Sequence, residues 1–196
     1  MRVGLLGGTF DPVHNGHLSL AEHAMTGLRL DEMLFVPAGE PWRKGHREIT
    51  AGEHRLAMLR LAIEGSDAFG ICDIELRRPG PTYTADTVEE LAGERLDDEF
   101  WFVLGADALA DIPHWHEPER IVRHAKLGVA ARAGEDLMAA VGAVPQFTGR
   151  IEVFEMPRVD ISSTDVRIWV ASGRSVAGMV PPAVEAYIRE RGLYRE

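Results

Sequence analysis

The chain has 196 residues, 45% of them hydrophobic, with 21 basic and 31 acidic side chains and a formal net charge of −10. That length supports a full hydrophobic core without staples, and the acidic excess excludes a surface built to track long nucleic acid, which needs clustered Lys and Arg. No apolar run approaches the length of a membrane span and Val3–Leu6 is too short for a signal core, so the sequence predicts a cytoplasmic protein with no membrane partner.

In chain order, Val3–Leu6 is a short apolar run stopped by Gly7 and Gly8, the pattern of a buried strand. From Leu18 the apolar residues recur at Ala21, Ala24, Met25 and Leu28, which predicts a helix burying one face, with Asn15 available as its cap. Further strands are predicted at Met33–Val36, Phe69–Leu76, Phe100–Leu104, Leu127–Ala131 and Ile151–Phe154. Between them, Thr50-Ala-Gly-Glu53 reads as a capping box ahead of Leu56 and Leu59, and Thr84 caps a helix carrying Val88, Leu91 and Ala92. Asp136–Val141 forms a shorter helix, Ser162 or Ser163 opens one through Val166 and Val170, and Pro181-Pro182 opens the last. The single cysteine, Cys72, reads as a small core residue of a reducing compartment. Alternating strand and helix predicts an α/β fold: one Rossmann-like, doubly wound, mostly parallel sheet with helices on both faces, spanning 1–196 as a single domain. Residues 133–149, rich in Gly and Ala, are the least determined part.

The chemistry concentrates at two predicted strand-to-helix turns, which in open α/β sheets lie at the carboxyl edge where ligands bind. At the first, Gly7 and Gly8 permit close approach of backbone to a ligand, and the following helix aims free amides and a positive dipole end at the same place. The turn is neither a Gly-x-Gly-x-x-Gly fingerprint nor a Gly-x-x-x-x-Gly-Lys loop. It carries His14-Asn-Gly-His17, whose two imidazoles stand three residues apart, as neighbours on one helix turn, with Gly16 keeping the space between them clear. A pair of capping or solvent histidines fits this turn equally well. The second turn, Asp160-Ile-Ser-Ser-Thr-Asp-Val-Arg167, decides between the readings: hydroxyls and amides at a helix start, followed one turn later by a guanidinium fork, make a second anion-ready site.

Together Gly7-Gly-Thr-Phe-Asp-Pro-Val-His-Asn-Gly-His17 and Ile161-Ser-Ser-Thr-Asp-Val-Arg167 resemble the nucleotidylyltransferase superfamily, marked by a His-x-Gly-His turn and an Ile-Ser-Ser/Thr-x-x-Arg helix. Pro81-Thr-Tyr-Thr-Ala-Asp-Thr87, Phe102–Ala108 with Pro113-His-Trp115, and Gly192-Leu-Tyr-Arg195 narrow the resemblance to the bacterial nicotinate-nucleotide adenylyltransferase family. Pro41-Trp-Arg-Lys44 departs from the Pro-Pro-His-Lys of many members, so Lys44 carries over while Arg43 stands where the family has histidine. The resemblance implies transfer of AMP from ATP to nicotinate mononucleotide by in-line attack, with no covalent intermediate. It implies His14, His17, Lys44 and Arg167 as catalytic groups. It places ATP on Gly7, Gly8, Thr9, Phe10, Gly105, Asp107, Arg132, Ile161, Ser162 and Ser163, besides His14, His17 and Arg167. It places nicotinate mononucleotide on Lys44, Tyr83, Thr84, Asp107, Trp115 and His116. Trp115 as core packing and Arg132 as a surface arginine are the plainer alternatives. Mg²⁺ is expected on the triphosphate, held by substrate oxygens, with no protein-built metal site. A phosphopantetheine adenylyltransferase-like enzyme or a non-catalytic nucleotide sensor shares the two end motifs, and a homo-oligomer is compatible with the sequence.

Overall fold

The computed structural model describes residues 1–41, 49–132 and 137–195. In chain order its elements are β1 (Arg2–Gly8), α1 (Asn15–Gly27), β2 (Glu32–Pro37), β3 (Glu40–Pro41), α2 (Gly52–Ile63), β4 (Phe69–Ile71), α3 (Ile74–Arg77), β5 (Pro81–Thr82) and α4 (Thr84–Glu94). They continue with β6 (Glu99–Gly105), α5 (Ala106–Asp111), a 3₁₀ turn (Ile112–His114), α6 (Pro118–His124), β7 (Ala125–Arg132), α7 (Leu137–Gly142), β8 (Ile151–Met156), α8 (Ser163–Ala171) and α9 (Pro182–Arg191).

Six of the strands form one sheet in the order β4-β2-β1-β6-β7-β8, every pairing parallel. The chain winds outward from β1 in one direction and then outward from β6 in the other. The order therefore reverses between β1 and β6, and a crevice opens there beyond the carboxyl ends of the strands. β3 and β5 make a separate two-stranded parallel pair.

Strand alternation divides the core in two. Leu6, Met33, Phe35, Trp101, Val103, Ala130 and Phe154 face α1, α2, α8 and α9. Val3, Leu5, Leu34, Phe100, Phe102, Leu104, Leu127 and Val129 face α4, α5, α6 and α7. Both faces of the central strands are covered, which is why these strands read as continuous apolar runs. Among the described residues no helix is long and apolar enough to cross a membrane.

Several local readings are corrected by the structure. The N-cap of α1 is His14, because His17 reaches back to accept the His14 amide, while Asn15 donates from Nδ2 to the Gly178 carbonyl at 2.8 Å. α2 is capped at Ala51 without a side-chain bond; the Thr50 side chain bonds Tyr194, and its carbonyl accepts from Arg55 Nε at 2.8 Å. The predicted strand Phe69–Leu76 stops at Ile71, and Asp73 instead precedes α3, where it pairs with Arg77 one helical turn on at 3.0 Å. α4 is capped by Tyr83, one residue earlier than expected, and Thr84 is its first residue. Of the stretch 133–149, residues 137–149 are anchored by buried Ala140, Val144 and Phe147, and Asp136 lies outside the described residues. Asp86 belongs to the scaffold: it meets Arg120 of α6 at 2.9 Å, and the same guanidinium also engages Glu89 and Glu117.

Candidate active site

The turn after β1 and the start of α8 enclose a cavity of about 390 Å³, lined by Gly8, Thr9, His14, His17, Ile161, Ser162, Ser163 and Arg167. The two imidazoles stack with centroids 3.7 Å apart and planes 27° from parallel. His17 Nδ1 accepts from the His14 amide at 3.2 Å, so the proton of the neutral His17 ring sits on Nε2. The edge-on Phe10 ring, 4.9 Å away, buttresses His17 from another side. Phe10 itself is buried and adopts a left-handed backbone (φ 48°), a conformation a bulky residue keeps only where its surroundings over-determine it. A Cβ added at Gly16 would come within 3.0 Å of the His14 ring, so the glycine preserves the stack.

His14 is 6% exposed, and its Nδ1 is buried against Gly16 with no hydrogen-bond partner among the described residues. Leaving such a group unpaired costs about 1–3 kcal/mol. Burial lowers its pKa from 6.5 to about 4, against a smaller opposing pull from Asp165. The fold therefore favours the neutral ring. That contribution is complete above pH 6.5, where the unfolded residue is also neutral, and is lost as the pH falls toward 4. Its full size is about 3 kcal/mol. Chemical denaturation at both ends of this range is expected to show a drop in wild-type stability that His14→Asn lacks by roughly that amount. Equal drops in the two proteins would refute the buried neutral imidazole.

Arg167 bridges the two turns. Its Nη1 donates to the Asp11 carbonyl at 2.5 Å and its Nη2 to Thr164 Oγ1 at 2.9 Å, while Ser163 Oγ donates to the Pro12 carbonyl at 2.9 Å. Ser162 is engaged differently from the sequence expectation. Its hydroxyl and amide both donate to Asp165 Oδ2, closing a Ser-x-x-Asp capping box at the start of α8.

A second cavity, of about 450 Å³, lies across the switch point. Its walls include Gly7, Gly8, Thr9, Tyr83, Thr84, Phe102, Trp115 and His116. Trp115 meets Phe102 edge-on at 5.8 Å and Tyr83 lies against His116 at 4.1 Å, so the two ring pairs stand on the walls of this slot. The first turn of α4 opens onto this slot, and Tyr83 contributes no side-chain cap to it. Gly8 and Thr9 line both cavities.

The structure thus brings together most of the predicted residues, though not all. Phe10 stands behind the turn rather than on a cavity wall, and Gly105 is the N-cap of α5. Asp107 is exposed on the first turn of α5 and lines neither cavity. Gly105 runs directly into α5, and it is the far end of that helix, with the 3₁₀ turn beyond it, that delivers Asp111, Trp115 and His116. Arg132 is the last residue of β7, in register with Met156. Lys44 lies outside the described residues, as do Trp42 and Arg43.

Sequence reasoning missed Glu75, Thr82 and Asp111 in the second cavity and Asp11 in the first. Glu75 was hidden by the strand assignment; the Asp73 before it was the available signal for a helix start. It is buried and accepts from Thr87 Oγ1 at 2.9 Å, so it anchors the beginning of α4.

A doubly wound sheet with paired cavities at its switch point, one rich in anion donors and one lined by aromatic rings, defines a nucleotide-binding α/β protein of the nucleotidylyltransferase kind. The model of the cytidylyltransferase-like family matches residues 5–168. A "Probable nicotinate-nucleotide adenylyltransferase" of Thermomicrobium roseum is 46% identical over 99% of this chain and 92% of its own length. One of Roseiflexus sp. is 47% identical over 98% of each. The chain therefore belongs to the cytidylyltransferase-like family and, within it, to the nicotinate-nucleotide adenylyltransferase family. Among solved structures, the Plasmodium falciparum nicotinic acid mononucleotide adenylyltransferase complexed with NaAD superposes with a TM-score of 0.82. It covers 98% of this chain and 97% of that one at 20% identity, and so supports the fold.

Proposed function

We propose that the protein transfers AMP from ATP to the phosphate of nicotinate mononucleotide, giving nicotinate adenine dinucleotide and pyrophosphate in the biosynthesis of NAD. The observation that carries this reading is the pair of cavities sharing Gly8 and Thr9. ATP occupies the cavity with His14, His17 and Arg167, the mononucleotide takes the one with Trp115 and Thr84, and the new phosphoanhydride forms where they meet. An oxygen of the mononucleotide phosphate attacks the α-phosphorus in line as pyrophosphate leaves opposite, so no protein nucleophile is required. His17 donates from Nε2 to oxygens gaining charge, and neutral His14, stacked behind it, supplies a further ring nitrogen without a second cation's repulsion. Lys44 and Arg132 are assigned on the family resemblance alone, as a further fixed cation and as an arginine that binds ATP.

ATP arrives as its magnesium complex. The ion is held by phosphate oxygens and water. The direct test is pyrophosphate release from ATP, Mg²⁺ and nicotinate mononucleotide. Release with phosphopantetheine in place of the mononucleotide, or none at all, would overturn the assignment.

Arg167→Lys keeps the charge but cannot span Asp11 and Thr164 as the fork does. It is expected to lose about tenfold in kcat/KM for ATP, the scale of one charge-assisted hydrogen bond. Full activity would reduce Arg167 to a point charge.

A further inference from the structure

The C-terminal tail reaches back to the first turn. Beyond α9 the chain bends through Gly192 (φ 65°) and again at Tyr194, a non-glycine residue in the left-handed region (φ 62°). Such a conformation persists where contacts hold it, and here the contact is explicit. Tyr194 Oη donates to Asp11 Oδ1 at 2.9 Å, across 183 residues of sequence. Asp11 is 3% exposed and belongs to the wall of the phosphate-side cavity.

The phenol is part of a connected set. The Thr50 side chain also bonds to it, the Thr50 carbonyl accepts from Arg55 Nε at 2.8 Å, and Arg55 Nη1 donates to the Thr9 carbonyl at 2.8 Å. Arg55 is buried and carries its charge near Asp11 and Glu75. Burial pushes the Tyr194 pKa well above its ordinary value, so the hydroxyl remains a donor at every working pH. The turn from Thr9 to Pro12 is thus gripped by α2 at Thr9, by the tail at the Asp11 side chain, and by α8 at the Asp11 and Pro12 carbonyls.

We propose that Tyr194 is a positioning residue for adenylyl transfer, fixing Asp11 and with it the turn that cradles the triphosphate. This rests on the transferase reading above. A buried carboxylate beside a phosphate site is unfavourable unless its charge is directed elsewhere, and the phenol supplies that direction. Without the hydroxyl the carboxylate loses one of its anchors and the turn is held less closely, so ATP suffers and the mononucleotide, bound across the switch point, does not. The expected loss is the size of one hydrogen bond to a charged group.

Tyr194→Phe removes only that hydroxyl. Assayed where both proteins are fully folded, it is expected to lower kcat/KM for ATP by about tenfold and to leave the KM for nicotinate mononucleotide within about twofold of wild type. In an Asp11→Ala background the same substitution should cost nothing further, because its partner is gone. If Asp11→Ala does not fold, the split between the two substrates decides alone. An unchanged kcat/KM for ATP, equal losses toward both substrates, or losses that add in the double variant would overturn the proposal. Wild-type protein that releases no pyrophosphate would instead sink the transferase reading, so the two failures are distinguishable.

Discussion

His17→Ala is expected to lower turnover by about 10²–10³, the cost of removing one preorganised donor aimed at charge that grows in the transition state. The size follows from how completely the ring is fixed. Its Nδ1 accepts from the His14 amide, one face lies on the His14 ring, and the edge-on Phe10 ring limits the other direction. A donor held this way needs no reorganisation as the α-phosphorus is attacked. The fold depends on it much less, because His17 is only half-buried and alanine is the best helix former for the first turn of α1. ATP affinity and Tm should therefore change little while kcat collapses. Measuring all three on one preparation checks this, and near-normal turnover would remove His17 from the mechanism.

The second large effect is the choice between nicotinate and nicotinamide mononucleotide. A carboxylate only accepts hydrogen bonds, whereas an amide presents an NH₂ that donates. The ring slot faces the first turn of α4, where backbone amides and the positive dipole end favour an anion. Two acids, Glu75 and Asp111, line the same cavity and pull the other way. Each already has its own donor: Thr87 Oγ1 to Glu75 at 2.9 Å and Trp115 Nε1 to Asp111 at 3.2 Å. The Thr84 hydroxyl can turn to accept and so adds nothing to discrimination. Two amide donors left facing an NH₂ cost about 1–3 kcal/mol each, which gives nicotinate a preference of at least about a hundredfold in kcat/KM. Both substrates measured in one buffer settle it. Equal values, or a preference for the amide, would refute the donor slot.

The sheet was legible because its strands are buried on both faces and so appear as apolar runs, from Val3–Leu6 to Ile151–Phe154, separated by helical periods. The phosphate side was legible for a related reason. His14, His17, Ser163 and Arg167 lie within two contiguous turns, and the chemistry is written in short spacings. What escaped was whatever depends on contacts distant in sequence. Nothing local to Asp11 announces Tyr194, and nothing local to Thr50 announces that its side chain will bond the same phenol instead of capping α2. Asp107 was expected at the ligand because it follows a strand, and it stands exposed on the first turn of α5. The cavity is supplied instead by the end of α5 and the 3₁₀ turn, a placement set by packing against β6 and β7. Ser162 was recognised as a cap, and its partner in that role is Asp165, while it also lines the first cavity.

Gly8 and Thr9 belong to both cavities, so under the proposed function the two nucleotides are next-door neighbours before reaction and one molecule after it. A ligand spanning both compartments meets the second as an intramolecular event and gains affinity by ~10²–10⁴ over either half without any new contact. The dinucleotide product is such a ligand. Under the proposed function, its release is opposed by that same gain in affinity. The same arithmetic favours inhibitors that bridge the shared wall over those that fill one chamber.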